Sequence, residues 1–433
     1  MKSYDIIVIG GGIMGTSCAY FLTQEGLKVA LIERGDIASE TVSHTDGYIG
    51  ASEKEPGVDS MQGMASIKLY DEMRKTFDYD FEYSENEYGD PIGFAYLCAS
   101  DFEMEMARKQ VEENNKIGIE QYIVDSYILK QLEPNCARDL KGGLWTPKDA
   151  AVCPYKVAFG FVEEAKKTGL IDVYTRTEVT EIILDPATKA VQGVVTSKGE
   201  FKAPRVVNAA GPWAPFIGAM VGLEVPIEPR FGQLTVTEKT GKITNNRLVM
   251  DYGYFLTKFF HDGEGDRGTP PLIKAYNVAM NITSDLTGNT VVGGCRLFRG
   301  YSIKSEYKIM QAIAQNAIRY YPILKNFNCI RSFAGIRPFC YDQLPIVSDV
   351  EEVPGFFMAC GHEGDGITLG PITGKLISQY VTGKPLEFEL AHELAWSRWH
   401  DRDIAAYKAK EEENTKALRA IEMEVLKSLE KNA

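Results

Sequence analysis

The 433-residue sequence is short of the residues that several broad functions require. It has five histidines, and its eight cysteines (Cys18, Cys98, Cys136, Cys153, Cys295, Cys329, Cys340 and Cys360) never form a C-x-x-C pair. That scatter removes the ordinary ligand spacing for zinc, haem or an iron-sulfur cluster, so no metal site is expected. The thiols read as small buried groups in a reducing setting. Basic charge is also scarce: 47 Lys and Arg stand against 60 Asp and Glu, a net charge of −13. A polyanion needs a basic face, so nucleic acid is not an expected partner and an anionic membrane surface is disfavoured. No apolar run is long enough to cross a bilayer, and the first one breaks into glycines with no small-residue cleavage site behind it. A soluble, cytoplasmic protein is the expectation. Its length exceeds a usual single core, which predicts two intimately joined parts.

What is present begins at once. "YDIIVIGGGIMGTSCAYFLTQEGLKVALIER" contains an apolar run (Ile6 to Ile9), a glycine turn, an apolar-periodic helix ending near Gly26 and a second apolar run ending at Glu33. That is a β-α-β unit. Gly10, Gly12 and Gly15 form G-x-G-x-x-G: the first makes the tight turn, the second lets backbone approach a pyrophosphate, and the third brings helix against strand. Ile13 and Met14 fill the helix start, whose unpaired N–H groups and dipole favour phosphate. Glu33 is placed to accept hydrogen bonds from a ribose diol. Arg34 either lies along an adenine or is an ordinary surface arginine. Spacing alone does not separate NAD from FAD. Matching pieces recur near residues 180 and 210 and toward the C-terminus, and a domain assembled from separated segments suits FAD better.

Residues 171–211 alternate apolar and polar with turn residues between, which predicts a meander of three or four strands. The meander closes on "VVNAAGPWA", where Ala209, Ala210 and Gly211 let backbone pass close to something flat; Trp213 behind them reads as packing. Helices are expected at 60–77, 101–117 and from Pro154 to Thr168, the last with proline near its start. From 223 to 300 short strands rich in Val, Tyr, Phe and Thr predict an antiparallel sheet, with Tyr252 and Tyr254 as candidate pocket residues among core aromatics. In "RSFAGIRPFCYDQLPIVSD" Arg337 stands between an apolar strand and Pro338, at an expected element end. It is either a surface ion pair or a planar fork for a carboxylate. "CGHEGDGITLGPITGKLISQYVTG" leads with glycines into a helix expected from about Pro371 to Val381, stopped by Gly383.

Taken in order, "VIGGGIMG", "LIER", "TEVTEI", "VVNAAGPWA", "AGIRPFCYDQLPIV" and "GHEGDGITLGPITGKLI" resemble the D-amino-acid oxidase-like family of FAD-dependent amine oxidoreductases. The likeness runs from residue 5 to about 385 and is greatest to the branch of glycine oxidase, sarcosine oxidase and the beta subunits of heteromeric sarcosine, proline and hydroxyproline dehydrogenases. It implies a mixed α/β fold: a Rossmann-like FAD-binding domain from segments 1–60, 145–222 and 331–390, an antiparallel-sheet substrate domain from 61–144 and 223–330, and a helical tail over 391–433. By the family pattern Gly10, Gly12, Ile13, Met14, Gly15, Glu33 and Arg34 hold the ADP half of FAD, Val179 touches adenine through its backbone, and Ala209, Ala210, Gly211 and Trp213 approach the cofactor. Arg337 binds the substrate carboxylate beside the flavin, with Tyr252, Tyr254 and His362 nearby. Gly361, Glu363, Gly364, Asp365, Gly366, Ile367 and Thr368 form a flavin-cradling loop in which His362 and Glu363 shape the pocket. "SHTDG", Ser43 to Gly47, falls where the family wraps a small-residue loop around the ring, but departs from the commoner S-x-N-x-G-G, so Ser43, His44 and Thr45 are contacts the resemblance does not fix. The FAD is expected to be non-covalent, without a bond to His44 or Cys340; an FMN at a partner interface is a further cofactor the branch admits.

The implied reaction is oxidation of a small amino or imino acid to its imine, by hydride transfer from Cα to flavin N5, with positioning as the main catalytic device and no protein base required if the amine enters neutral. Proline, hydroxyproline, sarcosine, glycine, D-amino acids and opine-like substrates all fit. A beta-like subunit of a dehydrogenase complex, with flavin or iron-sulfur partner subunits, is expected over a stand-alone peroxide-forming oxidase. A flavin electron-transfer subunit without turnover is the reading from another class. The charged tail, with Trp396, Trp399, Ile404, Leu418, Ile421, Val425 and Leu429, either docks on a partner or packs on its own chain.

Overall fold

The computed structural model describes residues 2–245, 248–259, 269–284 and 288–431, and its secondary structure gathers into two large sheets. The first has six strands in the order Ile346–Asp349, Phe356–Cys360, Val206–Asn208, Ile6–Ile9, Val29–Ile32, Ile171–Tyr174. All neighbours are parallel except the first pair. Ile6–Ile9 and Val29–Ile32 are buried at every position, which is why they read as continuous apolar runs rather than alternating ones. The helices Ile13–Gln24, Pro154–Lys167 and Gly366–Thr382 share one core with this sheet's inner face.

The meander expected over 171–211 is divided between two sheets. Val179–Leu184, Val191–Thr196 and Gly199–Lys202 form it, while Ile171–Tyr174 and Val206–Asn208 leave it to join the parallel sheet. Alternation along one chain cannot distinguish a hairpin partner from a distant parallel one.

The second sheet joins Leu297–Phe298, Ile227–Lys239, Asn289–Cys295, Val278–Ser284, Leu248–Asp251, Phe94–Cys98, Gly142–Thr146 and Tyr122–Asp125 in that order, with Cys329–Cys340 paired along Ile227–Lys239. The pairings are antiparallel except for Leu248–Asp251 with Phe94–Cys98. The region expected to hold short strands therefore contains one of 13 residues, Ile227–Lys239. Arg337 is not at an element end but inside Cys329–Cys340, opposite Arg230. Its neighbour Pro338 faces Pro229, so neither strand depends on the other's missing N–H there, and an outer strand tolerates the proline. Two groupings differ from the expected segments. Cys329–Cys340 lies in the second sheet, and the helix Val58–Thr76 packs through Leu69, Tyr70 and Met73 into the first sheet's core.

Local signals explain several boundaries. Ser100 accepts from the Glu103 N–H at 3.2 Å while Glu103 accepts from the Ser100 N–H, a reciprocal box that starts Asp101–Lys116. Pro154 opens its helix at the first turn. Gly366–Thr382 begins five residues before the expected Pro371. The proline has no N–H for the Ile367 carbonyl, and the buried Tyr70 hydroxyl supplies that donor instead at 2.6 Å. The helix ends at Gly383 in the left-handed region, φ 69°.

The tail packs on its own chain. Trp396 and Trp399 are buried with Ile404 and Tyr407 against them, and Ile421 and Val425 of the helix Ile404–Lys431 pack on the second sheet's core; the Leu429 side chain and Phe260 lie outside the described residues. Seven cysteines are buried and Cys329 is exposed. No described helix is long and apolar enough to cross a membrane.

Candidate active site

Four sequence motifs follow four parallel strands. Ile6–Ile9 leads to Gly10–Gly15, Val29–Ile32 to Glu33–Arg34, Val206–Asn208 to Ala209–Trp213, and Phe356–Cys360 to Gly361–Thr368. Parallel strands end on the same edge, so loops far apart in the chain meet above it, where open α/β sheets bind ligands. A cavity of about 550 Å³ lies there, extending to the second sheet.

At one end the cavity is backbone. Gly10 has φ 115°, and a Cβ on Gly15 would stand 1.8 Å from the Gly10 carbonyl oxygen. Only glycine admits that approach of helix to strand. Gly12 caps Ile13–Gln24 without any side-chain hydrogen bond, so the first-turn donors are left for a ligand. The Glu33 carboxylate accepts from the Gly11 and Gly35 N–H groups at 2.6 Å each; each oxygen keeps a further lone pair for a hydroxyl. Arg34 stacks over Trp213 at 4.0 Å, and with Val179 both border the cavity.

The other end is built from side chains. Gly366–Thr382 aims a second N-terminus at the cavity, again without a side-chain cap. Small residues set it beside the first helix: Ser17 Oγ donates to the Gly370 carbonyl at 2.8 Å, and a Cβ on Gly374 would lie 2.2 Å from Ser17 Oγ. Beneath this N-terminus Asp365 is clasped by Lys54 at 2.6 Å and Lys258 at 2.8 Å, all three buried. Burial alone would raise the Asp365 pKa, but the two ammonium groups outweigh it and hold it well below the usual carboxylate range. Glu363, at φ 43°, faces Arg230, Arg296 and Arg337 at 3.6, 3.8 and 4.0 Å. Burial again opposes its charge and the arginines prevail, so its pKa is lowered. His362 is buried, bonded through Nε2 to Thr373 Oγ1 at 2.9 Å, and burial lowers its pKa to about 3. It is a neutral wall.

The cavity thus gathers Gly10, Gly12, Ile13, Met14, Glu33, Arg34, His44, Thr45, Val179, Ala209, Ala210, Gly211, Trp213, Tyr254, Arg337, His362, Gly364, Gly366 and Ile367. The remaining candidates stand behind it. Gly15 and Gly361 allow close packing, and Glu363 and Asp365 hold charge beneath the lining. Thr368 bridges Gly50 N–H and the Tyr48 carbonyl, Ser43 is exposed and bonds backward to Ser39 and Glu40, and Tyr252 lies in a core with Phe94 and Tyr96. Tyr252 and Tyr254 were expected in strands; Tyr254 lies in the first turn of the helix Gly253–Phe259, and of the two tyrosines only it borders the cavity. Sequence reasoning missed Lys54, Lys258, Arg230, Arg296, Asp46 and Asn281. Arg296 and Lys258 each interrupt an apolar stretch, a usable sign of a buried paired charge; Arg230, behind Glu228 and Pro229, and Lys54, in a polar loop, carry no such sign. Among the described residues no group of acids, histidines and cysteines could hold a metal ion.

A backbone cradle at a bare helix N-terminus, a terminal acid and a long cavity with a second helix N-terminus fit a dinucleotide whose far end is a flat ring. A family model described as FAD dependent oxidoreductase matches residues 5–380, and the chain belongs to that family. Its cofactor is FAD. Hydrogen cyanide synthase subunit HcnC of Pseudomonas protegens is 27% identical over 91% of this chain and 96% of its own. Glycine oxidase of Geobacillus kaustophilus is 26% identical over 90% of this chain and 95% of its own. The crystal structure of L-proline dehydrogenase from P. horikoshii, 24% identical, superposes with a TM-score of 0.78 over 93% of this chain and 100% of that one, a likeness of fold.

Proposed function

We propose that the chain oxidises a small α-amino or imino acid (proline, hydroxyproline, sarcosine, glycine or an opine-like acid) to its imine. The observation that carries this reading is Arg337. Its side chain borders the cavity, and its one protein hydrogen bond among the described residues runs from Nη1 to the Cys295 carbonyl at 3.1 Å. The remaining donors of the planar fork are available for a bidentate carboxylate. Glu363, at 4.0 Å, orients the guanidinium without consuming its hydrogen bonds.

Bound flavin supplies the two-electron acceptor for the hydrogen that leaves Cα. The chain's own residues fix geometry: Arg337 holds the carboxylate, Tyr254 and Ile336 wall the substrate side, and neutral His362 closes the cavity without exchanging a proton at ordinary pH. The two uncapped helix starts present positive dipole ends to negative charge on phosphate and on the reduced ring. Gly10, Gly12, Glu33 and Arg34 would hold the ADP half, and Gly364, Gly366 and Ile367 the ring.

The experiment is anaerobic: purified yellow protein is mixed with a panel of glycine, sarcosine, proline and hydroxyproline, and flavin absorbance is followed. At least one member is expected to bleach it, and Arg337→Ala to slow bleaching by on the order of 100-fold with FAD retained. A flavoprotein that no amino acid bleaches overturns the reading. For the electron acceptor, we favour a partner subunit, since HcnC is itself named as a subunit. The glycine oxidase relatives support the other reading, a stand-alone oxidase. Turnover with an artificial dye far faster than with oxygen supports the first, and rapid oxygen consumption the second.

A further inference from the structure

Beside Arg337 the cavity contains a carboxylate that a site for a simple acid would not need. Asp46 lies in the loop after the short turn Thr41–His44, and Gly47 aims it: at φ 83°, with the Val152 carbonyl oxygen 2.1 Å from where a Cβ would stand, that position accepts only glycine. The side chain borders the cavity together with Arg337, Tyr254 and Asn281. One carboxylate oxygen accepts from Asn281 Nδ2, and the other from the Tyr48 N–H at 3.4 Å. Asn281 belongs to Val278–Ser284, a central strand of the second sheet. Asp46 is therefore tied to the sheet that also carries Arg337, and not to the pyrophosphate end.

We infer that Asp46 receives the substrate's amino nitrogen: with Arg337 on the carboxylate, it forms the second pole of a zwitterion site and takes the ammonium proton before Cα is oxidised. The inference rests on the proposed amino-acid reading. In bond terms, the N–H bond breaks and its proton goes to a carboxylate oxygen of Asp46, leaving a neutral amine. The Cα–H bond then breaks with its electron pair going to the bound flavin, the named oxidant, while the nitrogen lone pair closes C=N. Substrate is oxidised by two electrons and flavin reduced by two.

The groups around Asp46 suit this role. Arg337 faces it from Cys329–Cys340 and favours its charge; Tyr254 faces it from Gly253–Phe259, neutral with a pKa raised by burial to about 12. His44, on its own loop, turns toward Phe333 and the Glu40 carbonyl. Burial raises the Asp46 pKa, and Tyr48 N–H, Arg337 and Asn281 act against it. A carboxylate so poised is a better proton acceptor than an exposed one.

The test uses the FAD-loaded protein and Asp46→Asn. Binding is read by flavin absorbance with two probes, sarcosine and its oxygen isostere methoxyacetate, which keeps the carboxylate and loses the ammonium. Expected are a sarcosine Kd about 10-fold weaker, a methoxyacetate Kd within twofold of wild type, and flavin reduction by the panel's fastest amino acid slowed about 100-fold or more. The pH profile is the sharper readout. Wild-type reduction is expected to fall as pH drops through the Asp46 pKa, whereas the variant's rate should keep rising with pH in proportion to neutral amine. Unchanged rate and profile overturn the role of Asp46 and leave the proposed function standing; equal weakening of both probes, or a variant that no longer retains FAD, also overturns it. A wild type that no amino acid bleaches removes the proposed function itself. If Asp46→Asn does not fold, Asn281→Leu decides: losing that donor should move the acid limb of the wild-type profile to higher pH, and an unmoved limb overturns the inference.

Discussion

The two helix starts that face the cavity use one backbone device and differ in what lies under it. Both Ile13–Gln24 and Gly366–Thr382 enter from glycine-rich loops and lack a side-chain cap. Under the first there is apolar core and a single acid, Glu33. Under the second lie Asp365 between Lys54 and Lys258, and Glu363 among Arg230, Arg296 and Arg337. A pyrophosphate needs only close backbone approach, and glycine spacing delivers that locally. A reacting ring and its substrate need charges at set positions, and these come from segments that meet only in the folded chain.

The sharpest way to break the comparison is at the backbone-only end. Gly15→Ala places a Cβ 1.8 Å from the Gly10 oxygen, a clash no rotamer relieves. FAD affinity is expected to fall at least on the order of 1,000-fold, about 4 kcal/mol, measured by titrating apoprotein and following flavin fluorescence. A Kd within threefold of wild type would show that the third glycine is dispensable.

The charged end should break differently, through stability and pH. Lys258→Met leaves Asp365 with Lys54 alone, and removing one partner from a buried ion cluster costs about 3 kcal/mol, read by urea unfolding. The folded-state pKa of Asp365 is depressed, so its contribution is fully present above its unfolded value of about 3.9 and is lost as pH falls through the folded value. The wild-type melting temperature is therefore expected to drop more steeply below about pH 4 than that of the variant. Parallel curves would contradict the clasp.

The smallest expected effect sharpens the boundary between the two regions. Tyr70→Phe removes the donor that answers the Ile367 carbonyl opposite Pro371, leaving a buried acceptor unpaired at about 1–2 kcal/mol. FAD affinity should stay within twofold, because the lining is untouched. A large loss of FAD would mean that the proline start of this helix is held for the cofactor.

Legibility followed the same division. The unit Ile6–Glu33 was readable because turn, helix and strand signals sit within one short span, and Gly383 was readable as a stop for the same reason. The start of Gly366–Thr382 was misplaced at Pro371, since proline usually marks a first turn and the compensating Tyr70 hydroxyl lies on another helix. Arg337 was singled out but set at an element end, because Pro338 reads as a break until Pro229 is seen opposite it. The 171–211 meander shows the limit of periodicity: its outer strands alternate like the others yet pair with Val29–Ile32 and Ile6–Ile9.

By itself the sequence determined the dinucleotide turn, because glycine spacing and apolar runs act over a few neighbouring residues; FAD rather than NAD followed from the likeness of motifs spread along the chain, which the family match over residues 5–380 bears out. The tertiary structure alone decided the electrostatics of the site. Asp46 became a cavity residue held by Asn281, Glu363 a counterion to three arginines, and His362 a neutral wall. Burial and pairing set those states, and both depend on residues that only folding brings within a few ångströms.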